Sequence, residues 1–149
     1  MTSTLPAFRE PSAGEKIFNH LFGFLVGLGL GFSHNYLLEV RGRKTGTLYS
    51  TPINLLELQG KRYLIAPRGR TQWVRNTEAA AEVTLKKGSK RQKFHPRPIP
   101  AAEKTPILKA YLDTFKREVQ RYFPIPAGSP VEEFAALAES YPAFELLPQ

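Results

Sequence analysis

The chain has 149 residues, of which 42% are hydrophobic and 23% are charged. This balance is typical of a globular protein, and the length fits one domain of ordinary size. The absence of cysteine excludes disulfides, thiolate nucleophiles and cysteine-bound metals. The formal net charge of +8, with a pI of about 9.9, predicts an anionic partner.

Side chains that could perform catalysis by themselves are scarce. The histidines His20, His34 and His95 are far apart in sequence, and no two of them form an H-x-x-x-H pair. Asp113 is the only aspartate, so a Ser-His-Asp triad would depend on this one residue and a pair of aspartates is excluded. We therefore predict that no metal is bound, and that any enzymatic reactivity resides in a bound cofactor.

The first predicted elements are a loose arm and an apolar helix. Residues 1–14 contain two prolines and a glycine and predict the arm. A helix is predicted from about Lys16 to Leu28, where glycines end it. Its apolar side chains lie on two sides of the helix, which favours burial or a dimer contact, with docking on a membrane surface as the alternative. The uninterrupted apolar run Leu21–Phe32 is too short to cross a bilayer as a helix.

After the apolar helix, the hydrophobic pattern becomes alternating and predicts strands. About six strands are predicted, at residues 36–41, 48–58, 62–66, 82–87, 90–95 and near 144–146. Further helices are predicted from Thr71 to Ala80, from a Thr105-Pro106 start, and from a capping box at Ser129 to about Ser140. The short hairpin links predict an antiparallel sheet or small barrel with helices around it, an α+β fold in one domain over residues 1–149.

Three segments have the residue types of a ligand site, and each also has a structural explanation. The turn Gly42–Gly46 sets two cations and a hydroxyl beside backbone N–H groups, so it predicts either a phosphate cradle or a solvated turn. Pro52 removes a ladder donor from its strand, which is typical of an edge strand or of a strand against which a flat ring lies. The segment Ala66–Asn76 runs from a strand end through proline and glycine into a helix, where Trp73 either faces a ligand or closes the end of the sheet.

A fourth segment, Lys86–Lys93, is the densest basic run in the chain. A position over a hairpin tip favours a solvated sheet edge, where lysines commonly prevent strand pairing between molecules. The alternative is a nucleic-acid-binding module, because an aromatic residue and a histidine adjoin the run.

Taken in order, the segments at 42–46, 50–53 and 66–76 resemble the deazaflavin-dependent nitroreductase family. These are oxidoreductases that use coenzyme F420, and their fold is a split β-barrel. The resemblance runs from the apolar N-terminal helix to the C-terminal strand. It implies a split barrel of about six antiparallel strands with an N-terminal apolar helix and C-terminal helices.

The resemblance also implies a set of residues that bind the cofactor from its phosphate to its ring. These are Arg43, Lys44, Thr45 and Gly46 at the phosphate, Pro52 and Ile53 along the ring, Ala66, Pro67 and Arg68 at its polar edge, and Trp73 and Asn76 closing the pocket. The phosphate and oligoglutamate tail of F420 are anionic, which accounts for the positive net charge.

The implied activity is hydride transfer from reduced F420 to a quinone-like, nitro-aromatic or conjugated enone acceptor. Some nitro-reducing members have a hydroxyl residue in the stretch that here contains Pro67, so nitroimidazole-type activation is in doubt. The catalytic residues stay unassigned, and Tyr111 and Tyr122 are substrate-side candidates because a phenol can donate a proton.

Three alternatives stay open at this point. One is an F420-binding carrier without turnover, another is the nucleic-acid-binding module, and the third is an enzyme that uses FMN on the same barrel. Under the main hypothesis we expect a small hydrophobic acceptor and no nucleic acid as partner. We also expect a cytoplasmic location, with a homodimer and a peripheral membrane contact through residues 17–28 as further expectations.

Overall fold

The structure is a computed structural model, and it describes residues 34–149. The predicted arm at 1–14 and the predicted helix at 16–28 lie outside the described residues.

The described residues form one antiparallel sheet of seven strands in the order β2-β1-β5-β6-β7-β4-β3. The strands are β1 Asn35–Arg41, β2 Leu48–Asn54, β3 Leu56–Leu58, β4 Lys61–Ile65, β5 Val83–Lys87, β6 Lys90–Pro98 and β7 Ala143–Pro148. The prediction of an antiparallel α+β fold is confirmed. The predicted strand at 48–58 is wrong as one strand, because it is divided into β2 and β3 at Leu55.

The division at Leu55 curls the sheet into a split barrel. β2 and β3 are the two edges of the sheet, yet only Leu55 separates them along the chain. Asn54 pairs with Asn35 of β1, whereas Leu56 pairs with Tyr63 of β4. Because the chain passes from one edge to the other within one residue, the two edges must lie side by side.

Successive side chains of a strand point to opposite faces of the sheet, so apolar residues of one strand can pack into two separate cores. In β4, Leu64 packs inside the barrel, while Tyr63 and Ile65 pack on the other face of the sheet. The barrel core also contains Leu38 and Phe94, which are fully buried. The second core lies between the sheet and the C-terminal helices.

The helices are α1 Gln72–Ala79, α2 Ala101–Thr114 and α3 Lys116–Val119, with 3-10 turns at Gln120–Tyr122 and Val131–Leu137. The helix predicted from Thr71 to Ala80 is confirmed as α1, with Thr71 at its N-cap. The start predicted at Thr105-Pro106 is wrong, since α2 begins at Ala101 and contains Pro106. Within a helix, Pro106 leaves the carbonyl of Ala102 without its usual donor, and Ala102 is exposed to water.

The capping box predicted at Ser129 is also wrong. The Ser129 hydroxyl donates to the Pro126 carbonyl at 2.7 Å and does not cap the following helix, which begins after Pro130. That helix is a 3-10 helix ending at Leu137, shorter than the predicted segment to Ser140. The local turn therefore uses the hydroxyl that a capping box would require.

The buried ring of Tyr141 connects the helix-side core to the segment that ends with Tyr122. Tyr141 is fully buried and stacks on Phe123, with ring centroids 4.5 Å apart and an interplanar angle of 7°. Its hydroxyl donates a hydrogen bond to the main-chain carbonyl of Tyr122. This buried hydrogen bond ties the Tyr141 ring to the backbone at Tyr122.

We expect Tyr141→Phe to lower the free energy of unfolding by about 1–3 kcal/mol, because the buried Tyr122 carbonyl loses its donor while the ring stack is kept. Denaturant unfolding measures this change. A loss below about 0.5 kcal/mol would contradict the role given to the hydroxyl.

The same residue predicts a pH dependence at alkaline pH. Burial raises the pKa of Tyr141 to about 12, and burial also raises the pKa of Tyr111. A tyrosine in the unfolded chain titrates near pH 10, so its contribution is complete below pH 10 and is lost as the pH rises toward 12. The free energy of unfolding should therefore fall between pH 10 and 12, and Tyr141→Phe should make that fall shallower. An identical slope in the variant would assign the fall to other groups.

Candidate functional site

Two adjoining cavities form one groove across the end of the barrel beside α1. The outer cavity has a volume of about 630 Å³ and the inner cavity about 270 Å³. They share the lining residues Thr51, Arg68 and Trp73. The groove therefore runs without interruption from the β1–β2 turn to the end of α2 and the short helical segments that follow it.

The β1–β2 turn forms one wall of the outer cavity. Gly46 donates from its backbone N–H to the Gly42 carbonyl at 2.9 Å, and it has a φ of 75°, which favours glycine. Within residues 34–149, the backbone N–H groups of Lys44 and Thr45 donate to no protein acceptor. The turn thus presents two open amides beside the exposed Lys44 side chain, an arrangement that suits an anion.

Arg43 fastens this turn to α1. Its backbone N–H donates to Asn76 Oδ1 at 3.1 Å, and its Nη1 donates to the same oxygen at 2.8 Å. Nη1 also donates to Gln72 Oε1 at 2.9 Å. Since Asn76 is only 4% exposed, its carbonyl oxygen is a fixed point, and the turn is held at a set position relative to the helix.

The middle of the groove is lined by apolar surface from three elements. Trp73 lies in the first turn of α1, with its ring centroid 6.3 Å from that of Phe144 in the barrel core. Pro52 lies on the edge strand β2, which is the position predicted for a proline within a strand. Pro67 and Arg68 come from the loop between β4 and α1.

The inner cavity ends in a polar cluster around Tyr111 of α2. Tyr111 is 2% exposed, and burial raises the pKa of its hydroxyl well above the ordinary value, although a hydrogen bond with Asn54 acts in the opposite direction. Asn54 in turn accepts a hydrogen bond from Asn35 Nδ2 at 2.7 Å. Tyr111 thus keeps its proton at neutral pH and can act as a hydrogen-bond donor.

Charged side chains stand at the mouth of the inner cavity. The Arg121 guanidinium lies over the Tyr122 ring, 4.8 Å from its centroid. Glu118 lies 3.2 Å from His34, whose ring is 4.7 Å from that of Phe115. The inner cavity is therefore lined by the guanidinium groups of Arg68 and Arg121 and by the Glu118 carboxylate, in addition to aromatic rings.

The structure brings most of the predicted site residues together along the groove. Those that line it are Arg43, Lys44, Thr45, Pro52, Ile53, Pro67, Arg68, Trp73, Asn76, Tyr111 and Tyr122. Gly46 and Ala66 do not line it. Gly46 closes the turn, and Ala66 is buried in the barrel core, where its N–H donates to the Pro142 carbonyl.

Several residues that line the groove were absent from the predicted set of site residues, among them Asn35, Asn54, Gln72 and Arg121. Gln72 lies four residues before Asn76, and residues at this spacing lie on the same face of a helix. The place of Gln72 in the site could therefore have been predicted from that of Asn76. Asn35 and Asn54 meet only because they are directly paired across β1 and β2. The register between these two strands is set by the tertiary structure, so the local sequence does not predict that the two asparagines are paired.

The sequence profile of the F420H(2)-dependent quinone reductases matches residues 17–122, which is more than half of the chain. The chain belongs to this family. It is accordingly an F420-dependent oxidoreductase. No curated protein matches the chain significantly in sequence.

Solved structures similar to this F420H2-dependent quinone reductase family member share its fold at low sequence identity. Atu2129 from Agrobacterium tumefaciens strain C58, a protein of unknown function, has a TM-score of 0.57 and 17% identity. The alignment covers 96% of this chain and 58% of that one. An F420-H2 dependent reductase, FDR-A, has a TM-score of 0.53 and 18% identity over 76% of this chain and 94% of its own. A protein described as a domain-swapped dimer has a TM-score of 0.55 and 19% identity, with coverage of 89% and 92%.

The groove has the chemical features that this family's cofactor requires. The open amides and Lys44 suit a phosphate, while the apolar middle suits a flat ring. Among the residues that the structure describes, the buried Thr71 hydroxyl beside the outer cavity has no hydrogen-bond partner, so a polar group remains for a ligand to satisfy. The family assignment gives the FMN alternative no support.

Two further properties of residues 34–149 bear on the predictions. This part of the chain contains no cluster of three or more side chains able to hold a metal ion. None of its helices is sufficiently long and apolar to span a lipid bilayer.

We expect Asn76→Ala to release the β1–β2 turn, because both hydrogen bonds from Arg43 to this residue are lost. The free energy of unfolding should fall by about 1–3 kcal/mol. Hydrogen exchange of the hydrogen-bonded amides of the turn, those of Gly42, Arg43 and Gly46, should accelerate, while exchange in the β5–β6 hairpin stays unchanged. Gln72→Ala is the matched control, since it removes a single exposed bond. Equal loosening by both variants would contradict the role of Asn76 as the fixed point.

Proposed function

We propose that this family member binds reduced F420 along the groove and transfers a hydride to a quinone-type acceptor in the inner cavity. The observation that carries the proposal is the continuity of the groove from the Lys44 turn, past Trp73, to Tyr111. When bound, reduced F420 supplies the hydride. The residues of this chain bind and orient it and provide polar groups to the acceptor.

The β1–β2 turn is proposed to hold the phosphate of the cofactor. The open N–H groups of Lys44 and Thr45 and the Lys44 ammonium would bind its oxygens. Arg43 contributes through its remaining N–H groups, since its Nη1 is engaged with Gln72 and Asn76. A charge-assisted hydrogen bond of this kind contributes about 1.5–3 kcal/mol.

The apolar middle of the groove is proposed to hold the ring of the cofactor. Pro52 and Ile53 line one side, and Trp73 lies where the two cavities meet. Pro67 and Arg68 line the side formed by the β4–α1 loop. Pro67 has no side-chain donor, so donors to the ring in this loop would come from Arg68.

Tyr111 is proposed to bind the acceptor oxygen. A carbonyl that receives a hydride gains negative charge on its oxygen, and a protonated donor in a closed site stabilises that charge. Burial raises the pKa of the Tyr111 hydroxyl, which keeps it protonated, and Tyr111 is among the residues that line the inner cavity. The same contact would serve a conjugated enone or a nitro-aromatic acceptor, so the choice among acceptor classes rests on turnover measurements.

The location and assembly of the protein stay predictions. Quinones in cells are lipid-soluble, so a cytoplasmic enzyme with net charge +8 would meet them at an anionic membrane face. The predicted docking helix at 17–28 lies outside the described residues. A homodimer is proposed by analogy with the similar protein described as a domain-swapped dimer, and sedimentation equilibrium distinguishes it from a monomer.

We expect Lys44→Ala to weaken F420 binding roughly ten- to a hundredfold without lowering the melting temperature. Lys44 is exposed and holds no ion pair within residues 34–149, so the loss falls on the cofactor alone. Fluorescence titration with F420 measures the affinity, and a parallel titration with FMN tests cofactor choice.

Lys90→Ala is the matched control, because it removes the same charge from the exposed β5–β6 hairpin. Equal weakening by both variants would show a general charge effect and contradict the phosphate site. Binding to nucleic acid that falls steeply with salt and survives Lys44→Ala would instead support the basic-module alternative.

We expect Tyr111→Phe to lower the turnover of menadione at least tenfold while F420 affinity stays within twofold, because only the acceptor loses a donor. Stopped-flow recovery of deazaflavin absorbance measures turnover. Tyr122→Phe serves as the comparison at the cavity mouth. A Tyr111→Phe variant with full turnover would exclude Tyr111 as the donor, and binding without oxidation by any quinone or enone would favour a carrier.

A further inference from the structure

A separate cavity lies at the end of the barrel where β1, β4 and β6 begin. It has a volume of about 700 Å³, and the core residues Leu55, Leu85 and Phe94 form part of its lining. Among the described residues, none lines both this cavity and the groove proposed for F420. We call it the barrel-end cavity.

Four side chains form a layer around the barrel-end cavity, just beyond the barrel core. Each lies two residues from a core residue of its own strand: Tyr36 from Leu38, Arg62 from Leu64, Lys87 from Leu85, and Gln92 from Phe94. Side chains two residues apart on a strand point to the same face, so all four lie on the inner face of the barrel. The antiparallel order of the strands sets them at the same end.

This layer is rich in hydrogen-bond donors and has two positive charges. The Arg62 guanidinium and the Lys87 ammonium can only donate, and the Tyr36 hydroxyl and the Gln92 amide can donate as well. Within residues 34–149, no carboxylate lines the cavity. A concave surface with cations and donors on several sides favours an anionic ligand.

Contacts within the structure hold both cations in place. Lys87 Nζ lies 4.9 Å from the centroid of the Tyr36 ring, and Arg62 Cζ lies 5.5 Å from that of Phe94. Glu57 lies 3.5 Å from Arg62 Nε, and the two Nη atoms of this guanidinium have further N–H groups for a ligand. Burial lowers the pKa of Lys87, because its ammonium has lost part of its hydration, and a bound anion would compensate for that loss.

The cavity also gives a role to the basic run Lys86–Lys93. The prediction of a solvated sheet edge at this run is wrong, because β5 lies between β1 and β6, and β6 lies between β5 and β7. Protection against strand pairing therefore does not explain these basic residues. Alternation within the run instead directs Lys87 and Gln92 into the barrel-end cavity.

We propose that the barrel-end cavity binds the phosphate group of a phosphomonoester. Its donors come from four strands around the cavity, and phosphate oxygens point in several directions, whereas a planar carboxylate is matched by a single guanidinium. The mouth of a β-barrel is a common place for a small-molecule site, and the volume is in the usual range for one. The proposal is independent of the proposed function, since the two sites have no lining residue in common.

The test is isothermal titration calorimetry of the full chain with glycerol 3-phosphate, at low salt and without F420. The Lys44→Ala variant is used throughout, so that the β1–β2 turn does not compete for phosphate. We expect saturable binding that Lys87→Gln and Arg62→Gln each weaken roughly tenfold, because each removes a charge-assisted contact. Lys87→Arg keeps the charge and should keep most of the affinity.

Lys86→Gln is the matched control. Lys86 precedes Lys87 on β5 and is also partly buried, but it points to the other face of the sheet and does not line the cavity. Equal weakening by Lys86→Gln and Lys87→Gln would reduce the effect to net charge and overturn the site. Glycerate that binds as tightly as glycerol 3-phosphate would overturn the assignment to phosphate.

A parallel measurement separates a free phosphomonoester from a lipid headgroup. Co-sedimentation with phosphatidic acid vesicles, compared with phosphatidylcholine vesicles, tests the headgroup. Retention that Lys87→Gln abolishes and Lys86→Gln does not, without binding of glycerol 3-phosphate, would support the site with a lipid as the source of the phosphate. Binding to neither probe would overturn the proposal.

Discussion

The candidate site depends on the two hydrogen bonds that join Arg43 to the buried Oδ1 of Asn76. The β1–β2 turn projects from the edge of the sheet, and a hairpin turn at an edge has few contacts of its own. Asn76 is buried in a helix that packs on the barrel, so its oxygen has a fixed position relative to the core. Through this tether the turn and Trp73 of the same helix line one cavity.

This tether changes the interpretation of the basic pair at the turn. The family resemblance implies phosphate binding by Arg43 and Lys44 alike. In the structure, Arg43 holds the turn against α1. Its backbone N–H and its Nη1 both donate hydrogen bonds to side chains of that helix. Within residues 34–149, the Lys44 side chain has no ion pair or hydrogen bond, and it lines the outer cavity. A substitution at Arg43 would therefore combine loss of charge with loss of the turn's position, and only Lys44 separates the two effects.

At the inner end of the groove, burial keeps the Tyr111 hydroxyl neutral and therefore able to donate a hydrogen bond. Tyr111 lies in the helix-side core among aromatic rings, including Phe115 at 5.3 Å between centroids. Low exposure makes the phenolate costly, so the hydroxyl stays protonated and available. The Asn35–Asn54 pair next to it satisfies the polar groups that the end of β2 leaves in the cavity. The polar end of the groove is thus built from strand pairing and helix packing together.

The sequence by itself determined the antiparallel α+β class, the helix after Pro67 and Arg68, and the ordered segments on which the family resemblance rests. These features depend on alternation, turn chemistry and local residue types, which are properties of neighbouring residues. Tertiary structure alone decided the break at Leu55, the hydrogen bonds between Arg43 and Asn76, and the Asn35–Asn54 pair. Each of these joins residues through strand register or the packing of a helix on the barrel, and no local pattern in the chain specifies such distances.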